Sequence, residues 1–151
     1  MPEKKMVGFE IRTVNNLIRR YVESTLSKSV DCSSAVHGWA IRYFYVNRGK
    51  DVFQRDFELR FSIRRSTATD ILKNMEKNGL IVREPVSYDA RLKKISLTSK
   101  GVAIYKEIQK TIENCESKLS DNMTDEELKT FFSILDKIKA NLEAKNDKEI
   151  I

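Results

Sequence analysis

The sequence predicts a mainly α-helical fold that carries one small β-hairpin. Three observations predict it. Apolar residues recur three and four positions apart over most of the 151 residues, a spacing that gathers them on one helix face. One short stretch, Lys94-Ile95-Ser96-Leu97, alternates with period two, and the β-type run Leu80 to Arg83 precedes it. Hydrophobic residues make up 40% and charged residues 33%, which excludes a disordered chain and suits the large solvated surface of exposed helices.

The elements follow in order. Val14, Leu17, Ile18, Tyr21, Val22 and Leu26 make one face of an amphipathic helix over roughly 9–27. Asp31, Ser33 and Ser34 offer N-caps for a second helix with an apolar face of Val36, Trp39, Ala40, Tyr43 and Phe44, ending near Asn47-Arg48-Gly49. A short third helix, about Val52 to Leu59, carries Val52, Phe53 and Phe57. The next helix buries Ala68, Ile71, Leu72 and Met75, and Asn78-Gly79 supplies a left-handed C-cap. The hairpin comes after Gly79: the run Leu80 to Arg83, then Pro85 and the basic loop that opens at Tyr88, then Lys94-Ile95-Ser96-Leu97. Val102, Tyr105, Ile108, Ile112, Cys115 and Leu119 then form a heptad-like stripe, which can bury itself against a partner chain or within its own bundle. Thr124-Asp125-Glu126-Glu127 is a capping box opening a last helix with Leu128, Phe131, Phe132, Leu135, Ile138 and Leu142 on one face.

The length suits a single domain, 1–151, with a core that needs neither disulfide nor metal. No apolar run approaches the roughly 20 residues of a membrane span, and Met1 to Met6 lead into an amphipathic segment rather than a signal peptide, so a cytoplasmic protein without membrane contact is expected. Cys32 and Cys115 have no paired spacing; Cys32 precedes a helix start, where a thiol is either ordinary or lowered in pKa, and Cys115 reads as a small packed hydrophobe. The single histidine, His37, argues against a zinc site. No cofactor and no enzymatic activity are expected, because the sequence holds no Gly-rich phosphate loop, metal constellation or nucleophile motif.

The net charge of +6 is unevenly placed. From Arg48 to Gly101 thirteen Lys or Arg stand against seven Asp or Glu, so this segment carries the whole excess and the rest of the chain is balanced. A basic lobe is the footprint of a polyanion-binding surface, although a solvated helical surface carries charge as well.

A short helix, a tight connection, a second helix with a polar opening turn and a basic-tipped hairpin describe a winged helix-turn-helix lobe, about 33–100. In that arrangement the start of the second helix meets base edges in the major groove of double-stranded DNA. Arg64 and Arg65 can donate bidentately to guanine, Ser66, Thr67 and Thr69 reach bases or phosphates, and Lys73 suits a phosphate. The alternative is that Ser66 and Thr67 merely cap or start the helix and that the arginines are solvated. Arg91, in mid-loop, suits a narrow minor groove; Asp89 can orient its guanidinium, and of Lys93 and Lys94 only one can share its side of the strand.

These residues resemble the MarR family of bacterial transcriptional regulators. Asp89-Ala90-Arg91, then Ile95-Ser96-Leu97-Thr98 and Gly101, is similar to that family's wing signature. Asn78-Gly79-Leu80-Ile81-Val82-Arg83 is similar to its junction between recognition helix and wing, and Gln54 falls where its first helix-turn-helix segment often carries glutamine. The resemblance implies a homodimer held by helices about 8–28 and 99–145, two winged lobes on a pseudo-palindromic operator, commonly as a repressor, and a small molecule bound between lobe and dimer domain that changes their separation. Val14, Leu17, Tyr105, Ile108, Ile112, Leu119 and Leu135 are the expected interface residues. His37, Trp39, Arg42 and Tyr43 lie where the effector pocket would be, suited to a small anionic or phenolic molecule, although an aromatic pair at helical spacing also suits a core. The competing reading is a winged-helix module that binds protein or shapes DNA without sensing an effector.

Overall fold

The structure, a computed structural model, describes residues 4–26 and 37–146. The predicted caps Asp31, Ser33 and Ser34, with Cys32 and Val36, lie outside the described residues. The elements are α1 (Val7–Thr25), α2 (Gly38–Val46), α3 (Gln54–Phe61), α4 (Arg65–Lys77), β1 (Ile81–Val86), β2 (Asp89–Leu97), α5 (Ser99–Leu119) and α6 (Asp125–Asn146). The chain forms two compact units, 1–115 and 116–151.

The core of the first unit is assembled from every element between α2 and α5. Ala40, Ile41 and Phe44 of α2 meet Val52 and Phe57 from around α3, Ala68, Leu72 and Met75 of α4, Leu80, Ile81 and Ile95 of the hairpin region, and Tyr105 and Ile108 of α5. Phe57 is fully buried at its centre, with the rings of Trp39, Tyr43, Phe44 and Phe61 all between 5.1 and 5.9 Å away. Each such aromatic pair adds roughly 0.5–1.5 kcal/mol beyond burial. Trp39 is a departure from the expected apolar face, since it remains 40% exposed while stacking on Phe57, and Ile41 takes the buried position.

The connection between α3 and α4 is three residues long. Ser62 takes left-handed backbone (φ 49°) and the Ile63 N–H donates to the Glu58 carbonyl at 3.1 Å, so the chain reverses and re-enters a helix at once. α4 ends as its sequence predicts: Gly79 has φ +71°, the Leu80 N–H donates to the Met75 carbonyl at 2.9 Å, and Lys100 Nζ donates to the Asn78 carbonyl at 2.8 Å.

The hairpin is longer and its turn tighter than predicted. The strands pair antiparallel from Ile81–Leu97 to Pro85–Lys93, and then Val86 pairs with Asp89. Ala90, Arg91 and Leu92 have no partner across this step, a bulge beside a proline that has no N–H to give the ladder. The turn is Ser87-Tyr88, and Arg91 lies on the bulged strand rather than in mid-loop.

Thr98 joins the hairpin to α5. Its N–H donates to the Leu80 carbonyl, its hydroxyl donates to the Gly79 carbonyl, and its oxygen accepts the Gly101 N–H at 3.0 Å. Gly101 is required by close approach: a Cβ there would stand 2.3 Å from the Leu80 carbonyl oxygen.

α5 corrects part of the predicted pairing seam. Tyr105 and Ile108 are buried in the chain's own core, Tyr105 stacking on Tyr45 at 3.8 Å, and Ile112 packs against the same cluster. They face inward because α2, apolar on more than one side, needs a cover. Cys115 is buried, as a packed thiol should be. α1 has no buried residue, and Val14 and Leu17 stand about half exposed. In the second unit the Thr124 N–H donates to Glu127 Oε2 at 2.9 Å and the Glu127 N–H to Thr124 Oγ1 at 3.2 Å, the predicted capping box. On α6, Phe131, Phe132, Ile134 and Leu142 are exposed and Leu135 is half-buried.

Candidate nucleic-acid interface

The burial of Ala68, Leu72 and Met75 turns the opposite face of α4 outward, exposing Ser66, Thr67 and Lys73. Ser66 and Thr67 stand in the first turn of the helix and neither is its N-cap. The N-cap is Arg64, in extended backbone and without a side-chain cap bond, and Arg65 begins the helix exposed. Asp70, Asn74 and Lys77 share the outward face, and sequence reasoning passed over all three. The steps of four from Ser66 to Asp70 to Asn74, and from Lys73 to Lys77, were the available signal.

Gln54 and Thr69 stand together behind this face. Gln54 Nε2 donates to Thr69 Oγ1 at 2.9 Å and to Glu58 Oε1 at 3.0 Å, while Arg83 Nη1 donates to Gln54 Oε1 at 3.3 Å. The three bonds tie α3, α4 and β1 into one polar unit. Arg83 Nε is buried without a hydrogen-bond partner, Glu76 Oε2 lying 3.6 Å away. Arg83 was also missed, because its contact with Gln54 spans 29 residues of sequence and carries no local pattern; Glu58 was missed too, although it stands one helical turn, four residues, from Gln54.

The wing presents Arg91 with 94% of its side chain exposed. Asp89 grips the backbone rather than the guanidinium: the Arg91 N–H donates to Asp89 Oδ1 at 2.9 Å, whereas the guanidinium Nε lies 3.6 Å from that oxygen. Lys93 is exposed and Lys94 turns back to Asp51 at 3.6 Å, the division expected of neighbouring strand residues. The Tyr88 hydroxyl also donates to Asp51, at 3.1 Å, and the Ile95 N–H donates to the Val52 carbonyl at 2.7 Å. The loop before α3 thus holds the hairpin at both its tip and its base.

The four residues considered for an effector divide between two sides of α2. Trp39 and Tyr43 pack onto Phe57 and Phe61, and Arg42 Nη1 reaches the Tyr105 hydroxyl at 3.3 Å. His37 is half-buried at the α2 start. The Tyr43 phenol titrates above its ordinary value because burial disfavours the phenolate; Asp56 pushes the same way and Arg60 opposes it. Among the described residues no group of three or more His, Cys, Asp or Glu could hold a metal ion, and no helix is long and apolar enough to cross a membrane.

Comparison with known proteins gives this lobe a family. The MarR family model matches residues 37–92, from the start of α2 into the first part of β2. The homoprotocatechuate degradative operon repressor of Escherichia coli is 33% identical over 85 residues, spanning 56% of this chain and 57% of that protein. The transcription regulator MarR of Oenococcus oeni has the same fold, with a TM-score of 0.77, 26% identity, and 89% of this chain and 99% of that one covered. MepR of S. aureus, solved as a complex with DNA, aligns with a TM-score of 0.78 at 19% identity, covering 91% of this chain and 99% of that one. The wing signature, the Gly79 and Gly101 junctions and these likenesses agree: residues 37–92 match the MarR family, and the chain shares the winged helix-turn-helix fold of the MarR regulator of Oenococcus oeni.

Proposed function

We propose that this protein is a dimeric, sequence-specific DNA-binding repressor whose affinity for a pseudo-palindromic operator is set by a small anionic or phenolic effector. The observation that carries the reading is the coincidence of three features in one lobe: the outward polar face of α4, the exposed Arg91 on its bulge, and the whole net charge of the chain. Arg65, Ser66, Thr67 and Thr69 read bases, Lys73 and Lys93 meet phosphates, and Arg91 enters the minor groove. The exposed apolar residues of α1, Val14 and Leu17, with Leu119 and Leu135, favour pairing with a second copy. Repression and a phenolic effector are supported by the likeness to the homoprotocatechuate operon repressor, and the exposed Arg42 beside the Tyr105 hydroxyl is the cation such a molecule would meet.

The test is a salt-titrated binding assay of the purified protein against duplex DNA from upstream of its own gene and a scrambled duplex of equal length. The reading expects tighter binding to the upstream duplex, a steep salt slope, and two chains per site. Equal weak binding to both, with a single chain per complex, refutes it for that DNA and returns the protein-binding alternative.

A further inference from the structure

The polar unit behind the recognition helix fixes the direction of its own hydrogen bonds. Arg83 can only donate, so the atom of Gln54 facing it must be the amide oxygen. Glu58, ionised, can only accept, so the atom facing it must be the amide nitrogen. The two constraints agree and leave one orientation for Gln54, with its second amide proton directed at Thr69 Oγ1. Thr69 is therefore an acceptor on its inner side. Among the described residues its own hydroxyl proton has no acceptor, and Thr69 lies at the margin of the outward face, between Arg65 and Lys73.

We propose that Thr69 is a specificity-determining residue, polarised by the Arg83–Gln54 relay into an outward hydrogen-bond donor that selects a base presenting an acceptor in the major groove. The inference rests on the reading of α4 as a base-reading helix. Purine N7, guanine O6 and thymine O4 satisfy such a donor; the cytosine N4 amino group, itself a donor, does not. Arg83 and Gln54 act as positioning residues, since each reaches the DNA only through Thr69. Replacing Gln54 by Glu reverses the relay: a carboxylate accepts from both Arg83 and Thr69, and the Thr69 oxygen is left to accept from outside.

The experiment selects binding sites from a duplex library with a randomised core, using the full chain, and then measures affinities for duplexes carrying each base pair at the position where Thr69→Val loses preference. Wild type is expected to disfavour cytosine there by roughly tenfold. Gln54→Glu, assayed at alkaline pH so that both neighbouring carboxylates are ionised, is expected to turn the preference towards cytosine, which a merely structural role would not do. Arg83→Met combined with Glu58→Met removes both constraints on the Gln54 amide and is expected to level the preference, so the proposal stays testable if Gln54→Glu does not fold. A Thr69→Val protein with every wild-type preference intact, or a wild type that takes cytosine best at the affected position, overturns the proposal while leaving DNA reading in place. A wild type that selects no sequence overturns both.

Discussion

Arg91→Ala separates what the wing does for folding from what it does for binding. The side chain is 94% exposed and its 3.6 Å approach to Asp89 is open to solvent, a pair contributing well under ~1 kcal/mol, so the unfolding midpoint should not move measurably. Binding is different, because an arginine in a narrow, negatively charged groove makes charge-assisted bonds of ~1.5–3 kcal/mol. At ~1.4 kcal/mol per factor of ten, each wing is worth at least about tenfold in affinity. With two wings per dimer the slope of log K against log salt should fall by about 2, since each cationic contact contributes about 0.9. Asp89 gives the argument a second edge. Its carboxylate accepts the Arg91 N–H at 2.9 Å, a bond worth ~0.5–1.5 kcal/mol, so Asp89→Ala should weaken binding by several-fold through the shape of the bulge alone. Asp89→Asn keeps an acceptor oxygen and should lie close to wild type. Fluorescence anisotropy on one duplex at several salt concentrations measures all three variants. An Arg91→Ala protein with unchanged affinity and slope would remove the wing from the mechanism, and Asp89→Asn as weak as Asp89→Ala would refute the backbone role of Asp89.

Gly101→Ala should destabilise the fold by ~1–3 kcal/mol even though alanine is the better helix former by ~1 kcal/mol, because the new Cβ meets the Leu80 carbonyl oxygen at 2.3 Å and neither backbone can yield; a raised denaturation midpoint would contradict this. Leu17→Asp on the exposed face of α1 should convert a dimer to monomer in sedimentation, while helix content by circular dichroism stays the same. Lys73→Ala should lower the salt slope with little change in sequence preference, and Thr67→Ala the reverse; equal losses on specific and scrambled DNA from both would deny base reading by α4. Tyr43 has a folded pKa above the unfolded value of 10.0, so its contribution to stability is whole below that pH and is lost as pH rises through the folded value. Tyr43→Phe should flatten the alkaline limb of the stability profile, and a limb as steep as wild type would assign the loss to other groups.

Much of the molecule was legible in the residues because the determinants are local. Gly79 after Asn78 stops α4, Thr124 with Glu127 starts α6, the period of Ala68, Leu72 and Met75 orients α4, and Thr98 with Gly101 marks the junction of hairpin and helix. Each is a one-dimensional signal, a conformational preference or a spacing that acts within a few residues. Tertiary structure decided the rest. The heptad-like stripe could not tell a partner chain from the chain's own α2, and the core took Tyr105 and Ile108. The alternation of β2 could not show that Pro85 would break the register and lift Ala90, Arg91 and Leu92 out of the ladder. Nothing in the spacing of Gln54, Thr69 and Arg83 announces that they form one chain of hydrogen bonds. Hydrogen-bond direction and choice of packing partner depend on which groups arrive from distant segments, and the sequence alone determines only the faces they present.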